Sequence, residues 1–300
     1  MSKIINSKDL INLRNKNPLS EQNQLLAQIP LIGRKALLEL GSVFVYDNTI
    51  SALKCSDKKL IWHVAMPKSG CTWLTMILHH GLSELNWQTI NLVPDAKRRE
   101  QVVTPTELLR QKALNVNVFA AQQHCLFSEH ALSFLSNFNV HLVLQVRNVY
   151  DCIVSYVDHL NNESVIIPAI FLTETIWQEL SAEQKLQFVV DNIVPWYIQF
   201  WVSWTLGLED TEVSYQIVHY ENLLVDTENE VYKVARNCSS QLTKGDVAKW
   251  LHKPTNDQTR KNKAVRGRGQ HLPQWVFDKV EQLTSYYPNV DFEPIGITSK

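Results

Sequence analysis

The sequence predicts an α/β fold: a single domain with a central parallel sheet flanked by helices. From Lys58 onward, short apolar segments alternate with segments of helical periodicity. In these segments polar residues do not alternate with apolar ones, which is typical of parallel strands covered on both faces. The alternation of such strands with helices indicates this architecture. Polar turns also follow three of the apolar segments, as expected where the carboxyl edge of a sheet carries a site.

The predicted elements follow from these periodicities. The predicted strands are short: Leu60–Met66, Ile90–Val93, Asn117–Ala121, His141–Val146 and Ser214–His219. The predicted helices are Trp73–Leu82, Glu129–Ser136, Tyr150–Leu160, Ala182–Leu206, Thr227–Asn237 and Pro273–Tyr286. One run of aromatic residues at helical spacing is expected to face the core: Trp196, Tyr197, Phe200, Trp201 and Trp204. Residues 1–57 form a polar leader that we expect to pack on the body or over the active site. Residues 58–300 contain no Pro/Gly/Ser-rich linker and are predicted to form one domain.

The composition narrows the class of protein. The formal net charge of −1 gives no global field that would attract nucleic acid or an anionic membrane. The five cysteines are scattered without a Cys-x-x-Cys pair, so they indicate neither a disulfide framework nor a zinc ribbon. No stretch approaches the roughly 18 apolar residues of a membrane span. We therefore expect a cytoplasmic protein without a nucleic-acid partner or a membrane span, and a homodimer is left open.

The turn after the first predicted strand is the most informative segment. It reads Pro67-Lys68-Ser69-Gly70-Cys71-Thr72-Trp73 and leads into a predicted helix. A helix N-terminus offers N–H groups and partial positive charge to an anion, and Lys68 adds a full charge. The common nucleotide-triphosphate loop has its Lys after the glycines, whereas here Lys68 precedes Gly70. The alternative interpretation is a helix start with a capping Ser69.

A second strand, turn and helix follow near the middle of the chain, over residues 142–156. Arg147 stands at the end of the predicted strand, and Ser155 lies about two turns into the helix. A guanidinium group offers a planar fork of donors, and a hydroxyl group adds another donor. This pair therefore suits a terminal phosphate group.

Together the two segments resemble the signatures of the sulfotransferases. The first signature is Pro-Lys-Ser-Gly-Thr-Thr-Trp, from which this chain departs at Cys71. The second is Arg-Asn-Pro-x-Asp-x-x-Val-Ser-Tyr, from which it departs at Val149. The resemblance covers about residues 58–290 and implies a P-loop-like turn that binds a phosphosulfate group.

The family resemblance also implies the donor. It is 3′-phosphoadenosine 5′-phosphosulfate (PAPS), which leaves as 3′-phosphoadenosine 5′-phosphate (PAP), and no metal is expected. Lys68 would stabilise the bridging and sulfuryl oxygens. The N–H groups that would cradle the 5′-phosphate belong to Ser69, Gly70, Cys71 and Thr72.

The resemblance places further donor contacts elsewhere in the chain. Arg147 and Ser155 would hold the 3′-phosphate. Trp73 and Tyr220 would contact the adenine, although both residues are equally compatible with a place in the core.

A third segment, Arg260–Gly269, combines clustered positive charge with glycines. The family closes its donor site with a loop of the form Arg-Lys-Gly-x-x-Gly. When the last glycine of that loop is aligned with Gly267, Lys263 takes the place of the family lysine. We expect a cation of this segment to meet the 3′-phosphate, and Lys263, Arg266 and Arg268 are the candidates.

The resemblance also indicates the base. The family's catalytic histidine ends a Lys-Thr-His pattern after a strand, and here Gln122-Gln123-His124 stands in that place. The lysine has become Gln122, so one positive contact is absent or supplied elsewhere. His130 is the alternative base. His79-His80 and His124-Cys125 match no standard zinc spacing.

The sequence therefore predicts a PAPS-dependent sulfotransferase with His124 and Lys68 as catalytic residues. The acceptor would be a hydroxyl or amine of a small molecule, lipid or carbohydrate, bound by loops near 93–114 and 161–176 and by the leader. One alternative is a kinase on a related loop. No predicted strand ends in an Asp that could bind magnesium, which argues against this alternative. The other is a non-catalytic nucleotide binder, which the change to Gln122 favours.

Overall fold

The computed structural model describes residues 58–90, 116–129, 131–132, 135, 140–163, 170, 172–252 and 265–298. These residues belong to one compact unit, Leu53–Lys300. Several sequence expectations lie outside the described residues: the leader 1–57, residues 91–93 of the second predicted strand, the loop near 93–114, most of the helix Glu129–Ser136, His130 and Lys263.

A five-stranded parallel sheet forms the centre of this unit. Its strands are β1 (Leu60–Ala65), β2 (Gln88–Ile90), β3 (Val118–Gln123), β4 (Val140–Val146) and β5 (Tyr215–His219). They are ordered β2-β3-β1-β4-β5, and every neighbouring pair is parallel. The carboxyl ends of all strands therefore meet at one edge. The ends of β3, β1 and β4 are neighbours there, which brings the predicted site segments together.

Helices flank the sheet, as the sequence predicts. They are α1 (Cys71–Ser83), α2 (Val149–Asn162), α3 (Glu174–Glu179), α4 (Ala182–Asn192), α5 (Val194–Leu208), α6 (Tyr220–Val225), α7 (Thr227–Cys238), α8 (Lys244–Leu251) and α9 (Gln274–Thr284). Two 3₁₀-helices span Arg268–His271 and Glu293–Ile295.

Two apolar layers cover the two faces of the sheet. Alternate residues of β1 divide between them: Trp62 and Val64 belong to the larger layer and Ile61 to the smaller one. The aromatic run of α5 belongs to the larger layer, with four of its five side chains buried and Trp196 partly buried. This burial confirms the prediction that the run faces the core.

The predicted helix Ala182–Leu206 is wrong as a single element. It is divided at Ile193, and Pro195 lies in the first turn of α5. Proline lacks an N–H donor and its ring clashes with the preceding helical turn, so it is accommodated at a helix start rather than inside one.

Three short helices, α3, α6 and α8, were not predicted. They span only six to eight residues, too few to show a clear apolar period. For α8 a local signal existed, because Thr243 and Asp246 form a capping box.

The strand β3 contains an irregularity next to the predicted base. Trp62 is paired with Ala120, but Val64 is paired with Gln123, so β3 holds one extra residue in this interval. Such bulges bend a strand and change the direction of the side chains that follow. The strand continues beyond its predicted end at Ala121, and His124 follows its last residue directly.

Candidate functional site

The turn between β1 and α1 has an unusual backbone. Lys68 and Gly70 both have positive φ, 67° and 78° respectively. This conformation costs a non-glycine residue about 1–2 kcal/mol, so Lys68 is held there by its surroundings. A Cβ atom on Gly70 would lie 2.6 Å from the Tyr220 ring. The turn is therefore tightly packed against Tyr220.

The carbonyl groups of this turn all accept hydrogen bonds from the protein. The donor–acceptor pairs are Ser69 Oγ to Met66 O (2.7 Å), Tyr197 Oη to Pro67 O (2.9 Å), Arg147 Nη1 to Lys68 O (2.9 Å) and Gln145 Nε2 to Ser69 O (2.6 Å). In a trans peptide the carbonyl and the N–H of the next residue point in opposite directions. The held Pro67 and Ser69 carbonyls therefore turn the N–H groups of Lys68 and Gly70 away from the groups that hold them. The Ser69 N–H instead donates to Met66 O at 3.2 Å, so the structure does not direct it at the 5′-phosphate as the sequence predicted. The N-terminus of α1, with its partial positive charge, begins at the same place.

Arg147 directly follows β4 and is buried beside this turn. In addition to its bond to Lys68 O, its guanidinium carbon lies 4.3 Å from the centre of the Tyr220 ring, and Nη2 lies 3.8 Å from an Asp151 carboxylate oxygen. Its Nε has no hydrogen-bond partner among the described residues. Buried donors are nearly always paired, so this one fits an anion that the described residues do not provide. Ser155, further along α2, is also buried.

Asp151 joins the start of α2 to the third predicted segment. Its carboxylate accepts hydrogen bonds from the backbone N–H groups of Gly267 (3.0 Å) and Gly269 (2.8 Å). A Cβ atom on Gly269 would lie 2.4 Å from Tyr150 Cβ, so the two segments are in close contact. The structure thus places Gly267 next to the carboxylate that also faces Arg147.

Both described arginines of the third segment have partners on the protein. Arg266 donates to the Glu221 carbonyl at 2.6 Å, and Arg268 forms a 2.6 Å ion pair with Asp158, one turn beyond Ser155 on α2. The contact between one of these cations and the 3′-phosphate stays a prediction.

The two aromatic residues assigned to adenine differ in environment. Tyr220 is buried between Gly70 and Arg147, and burial raises the pKa of its hydroxyl. Trp73 is half-buried in the first turn of α1 and packs against the smaller apolar layer. The adenine contact stays a prediction for both, and Tyr220 additionally supports the turn.

His124 has a defined orientation at the end of β3. It is buried, and its Nδ1 lies 2.6 Å from the carbonyl oxygen of Ala65. A carbonyl can only accept a hydrogen bond, so Nδ1 carries the proton and the neutral ring has its lone pair on Nε2. Nearby, Gln122 is buried and its Oε1 has no partner within the described part of the chain.

Sequence reasoning missed several residues that support the site. Gln145 and Tyr197 hold the turn, and His63 contacts Gln145 from β1. Glu163 lies 3.9 Å from the Lys68 ammonium and 2.9 Å from His159. A signal existed for two of them, because His63 and Gln145 are polar residues within mostly apolar strands.

Two further observations concern metals and membranes. Within the described ranges, no group of three or more His, Cys, Asp or Glu side chains could hold a metal ion. No described helix is long and apolar enough to cross a membrane.

Comparisons of the sequence and of the structure with known proteins point to the same family. The family model of the sulfotransferase domain matches residues 58–281. A mouse sulfotransferase complexed with PAP is 14% identical, with 82% of this chain and 90% of that chain covered and a TM-score of 0.56.

Two other solved structures have lower scores. A retinol dehydratase in complex with androsterone and the inactive cofactor PAP is 12% identical, with 82% and 88% covered and a TM-score of 0.48. A sulfotransferase from Mycobacterium tuberculosis is 12% identical, with 94% and 90% covered and a TM-score of 0.43. No curated protein matches the chain in sequence. The family match spans most of the chain and the mouse structure shares its fold, so this protein belongs to the sulfotransferase family.

Proposed function

We propose that this sulfotransferase takes the sulfuryl group of PAPS and transfers it to a hydroxyl or amine of a small-molecule, lipid or carbohydrate acceptor. The observation that carries the proposal is the pair of anion sites at neighbouring strand ends. One is the turn after β1, and the other is Arg147 after β4, with its buried Nε. A nucleotide with charged groups on both its 5′ and 3′ positions matches such a pair. The mouse sulfotransferase of the same fold was solved with PAP.

The residues of the turn suit the 5′ side of the donor. The N–H groups at the start of α1 and that of Gly70 bind the 5′-phosphate. Lys68 stabilises the sulfuryl and bridging oxygens, on which negative charge increases as the sulfuryl group leaves. Arg147 and Ser155 bind the 3′-phosphate, and one cation of the segment around Gly267 adds to them.

His124 acts as the base. Its Nδ1–H donates to Ala65 O, so Nε2 is the atom that accepts a proton. The acceptor oxygen or nitrogen attacks sulfur, and the new bond forms as the bond between sulfur and the bridging oxygen breaks. The acceptor proton passes to Nε2 of His124, and PAP leaves with the bridging oxygen.

The proposal is tested in two steps. Calorimetry measures binding of PAP, and mass spectrometry then detects acceptors from a library that become heavier by one SO₃ unit when PAPS is added. We expect PAP to bind and at least one acceptor to react. A protein that does not bind PAP contradicts the proposed donor. A protein that binds PAP but modifies no acceptor supports the non-catalytic binder.

A further inference from the structure

A line of three hydrogen bonds, two of them buried and one partly buried, runs beneath the turn that follows β1. Thr75 Oγ1, on α1, lies 3.1 Å from His63 Nδ1. His63 Nε2 lies 2.8 Å from Gln145 Oε1. Gln145 Nε2 donates to Ser69 O at 2.6 Å. The line therefore begins on α1, crosses β1 and β4, and ends on the backbone of the turn.

The chemistry of the Ser69 end determines the direction of every bond in this line. Ser69 O can only accept, so the amide nitrogen of Gln145 faces it and the amide oxygen faces His63. That oxygen requires Nε2 of His63 to donate, which leaves Nδ1 as the acceptor of the Thr75 hydroxyl proton. The bonds are thus aligned head to tail, an arrangement in which each bond polarises the next.

The surroundings keep His63 in this neutral form. His63 and Gln145 are fully buried on the face of the sheet that carries the smaller apolar layer, and the His63 ring stacks on Phe119. Burial lowers the pKa of His63 to about 4. Two polar side chains in such a layer carry a desolvation cost, and the line ends on a backbone atom of the anion-binding turn.

We propose that Gln145 and His63 are positioning residues that aim the Gly70 N–H at the donor. Ser69 O and Gly70 N–H belong to one planar trans peptide and point in opposite directions. When Gln145 holds the oxygen towards the sheet, the N–H is directed at the space above the turn. His63 in turn holds the Gln145 amide from its other side, because its Nε2–H donates to the amide oxygen at 2.8 Å. This inference rests on the proposed nucleotide site and adds two residues that do not touch the nucleotide.

The test compares near-isosteric variants of each position. Gln145→Met and His63→Met keep side-chain length but remove the polar atoms. His63→Gln places an amide N–H as many bonds from the backbone as Nε2 of histidine, so it can still donate to Gln145. The control is His141→Ala, at the opposite end of β4, where His141 is hydrogen-bonded to Ser214. Each variant is measured for PAP affinity by calorimetry and for thermal stability without ligand.

We expect PAP affinity to fall about tenfold in Gln145→Met and His63→Met, the loss that one unsatisfied buried group typically produces. His63→Gln should bind within about threefold of the parent, and His141→Ala should bind like the parent. The double variant His63→Met/Gln145→Met should bind no more weakly than Gln145→Met alone, because both residues act through Ser69 O.

Two outcomes would overturn the inference. If the methionine variants are less stable but bind PAP like the parent, the line is only part of the core. If His63→Gln loses as much affinity as His63→Met, the donated hydrogen bond is not what matters. Should Gln145→Met fail to fold, Gln145→Leu serves instead: it removes both polar atoms of the amide and cannot donate to Ser69 O, so weakened PAP binding is again expected and parent-like binding contradicts the inference. Absence of PAP binding by the parent itself would contradict the proposed donor instead.

Discussion

His124 is the single residue whose replacement should separate chemistry from donor binding. It is anchored through Nδ1 to Ala65 O at 2.6 Å, and in the proposed mechanism Nε2 takes the acceptor proton. Loss of a general base typically lowers the rate about 10²–10⁴-fold. We expect His124→Ala to lose turnover by this factor while PAP affinity changes by no more than a few-fold. Turnover close to that of the parent would mean that another residue, with His130 as the next candidate, is the base.

Arg147 and Ser155 should differ in how selectively they affect the 3′-phosphate. A hydrogen bond to a charged group is worth about 1.5–3 kcal/mol. Ser155→Ala should therefore weaken PAP but not adenosine 5′-monophosphate, which lacks the 3′-phosphate. Arg147 also holds Lys68 O, so Arg147→Ala should weaken both nucleotides. Calorimetry with the two nucleotides checks this, and equal losses in Ser155→Ala would reject its assignment.

The buried His63 predicts a dependence of stability on pH. Its pKa is lowered to about 4: burial is the main cause, nearby His124 adds to the lowering, and the hydrogen bond that His63 donates to Gln145 opposes both. The unfolded chain has the ordinary value near 6.5 and binds the proton more readily between these two values. The free energy of unfolding should thus be fully retained above pH 6.5 and fall towards pH 4, by at most about 3 kcal/mol from this group. Urea unfolding at several pH values should show a shallower decline in His63→Gln than in the parent. Equal declines would contradict the prediction.

At the scale of the element, α1 carries two glycines with different tasks. Gly70, at its N-cap, has a φ of 78° and contacts Tyr220. Gly81, in its last turn, would place a Cβ atom 2.0 Å from the Trp250 ring of α8. The first glycine shapes the turn after β1, whereas the second allows two helices to pack closely.

The matched substitutions Gly70→Ala and Gly81→Ala should therefore have different effects. Gly81→Ala should lower the free energy of unfolding by about 1–3 kcal/mol through overpacking, with PAP affinity unchanged. Gly70→Ala should lower PAP affinity in the folded protein, because Ala resists positive φ and clashes with Tyr220. Urea unfolding and calorimetry on both variants test the distinction, which fails if Gly70→Ala binds PAP like the parent.

The same scale shows which features a sequence can reveal. Four of the five strands were predicted because they are short, continuous apolar runs, and several long helices because their apolar periods extend over several turns. The prediction Ile90–Val93 overlaps β2 (Gln88–Ile90) at one residue only. The break before Pro195 and the extra residue in β3 are local events that those periods do not record. The side chains that donate hydrogen bonds to the turn could not be predicted either. Tyr197 lies 130 residues from Pro67, and Gln145 lies 76 residues from Ser69, so only the fold brings them together.

At the scale of the whole molecule, positive charge is concentrated at one place and the chain as a whole is nearly neutral. The chain has a formal net charge of −1, yet Lys68, Arg147 and the N-terminus of α1 meet at one edge of the sheet. A donor with several negative charges is therefore attracted by this edge and not by the protein as a whole. Kinases neutralise the equivalent charge with magnesium ions.

This concentration of charge predicts that turnover does not require a divalent metal. Lys68 and Arg147 lie at the carboxyl ends of neighbouring strands, and in the proposed function they neutralise the sulfuryl and 3′-phosphate oxygens directly. We expect activity with PAPS to persist in excess chelator at the level seen with added magnesium. The control is Lys68→Met, which should lose activity in both conditions because it removes a cation from the reacting group. Activity that disappears with chelator and returns with magnesium would contradict the prediction and favour a kinase-like, metal-assisted reaction.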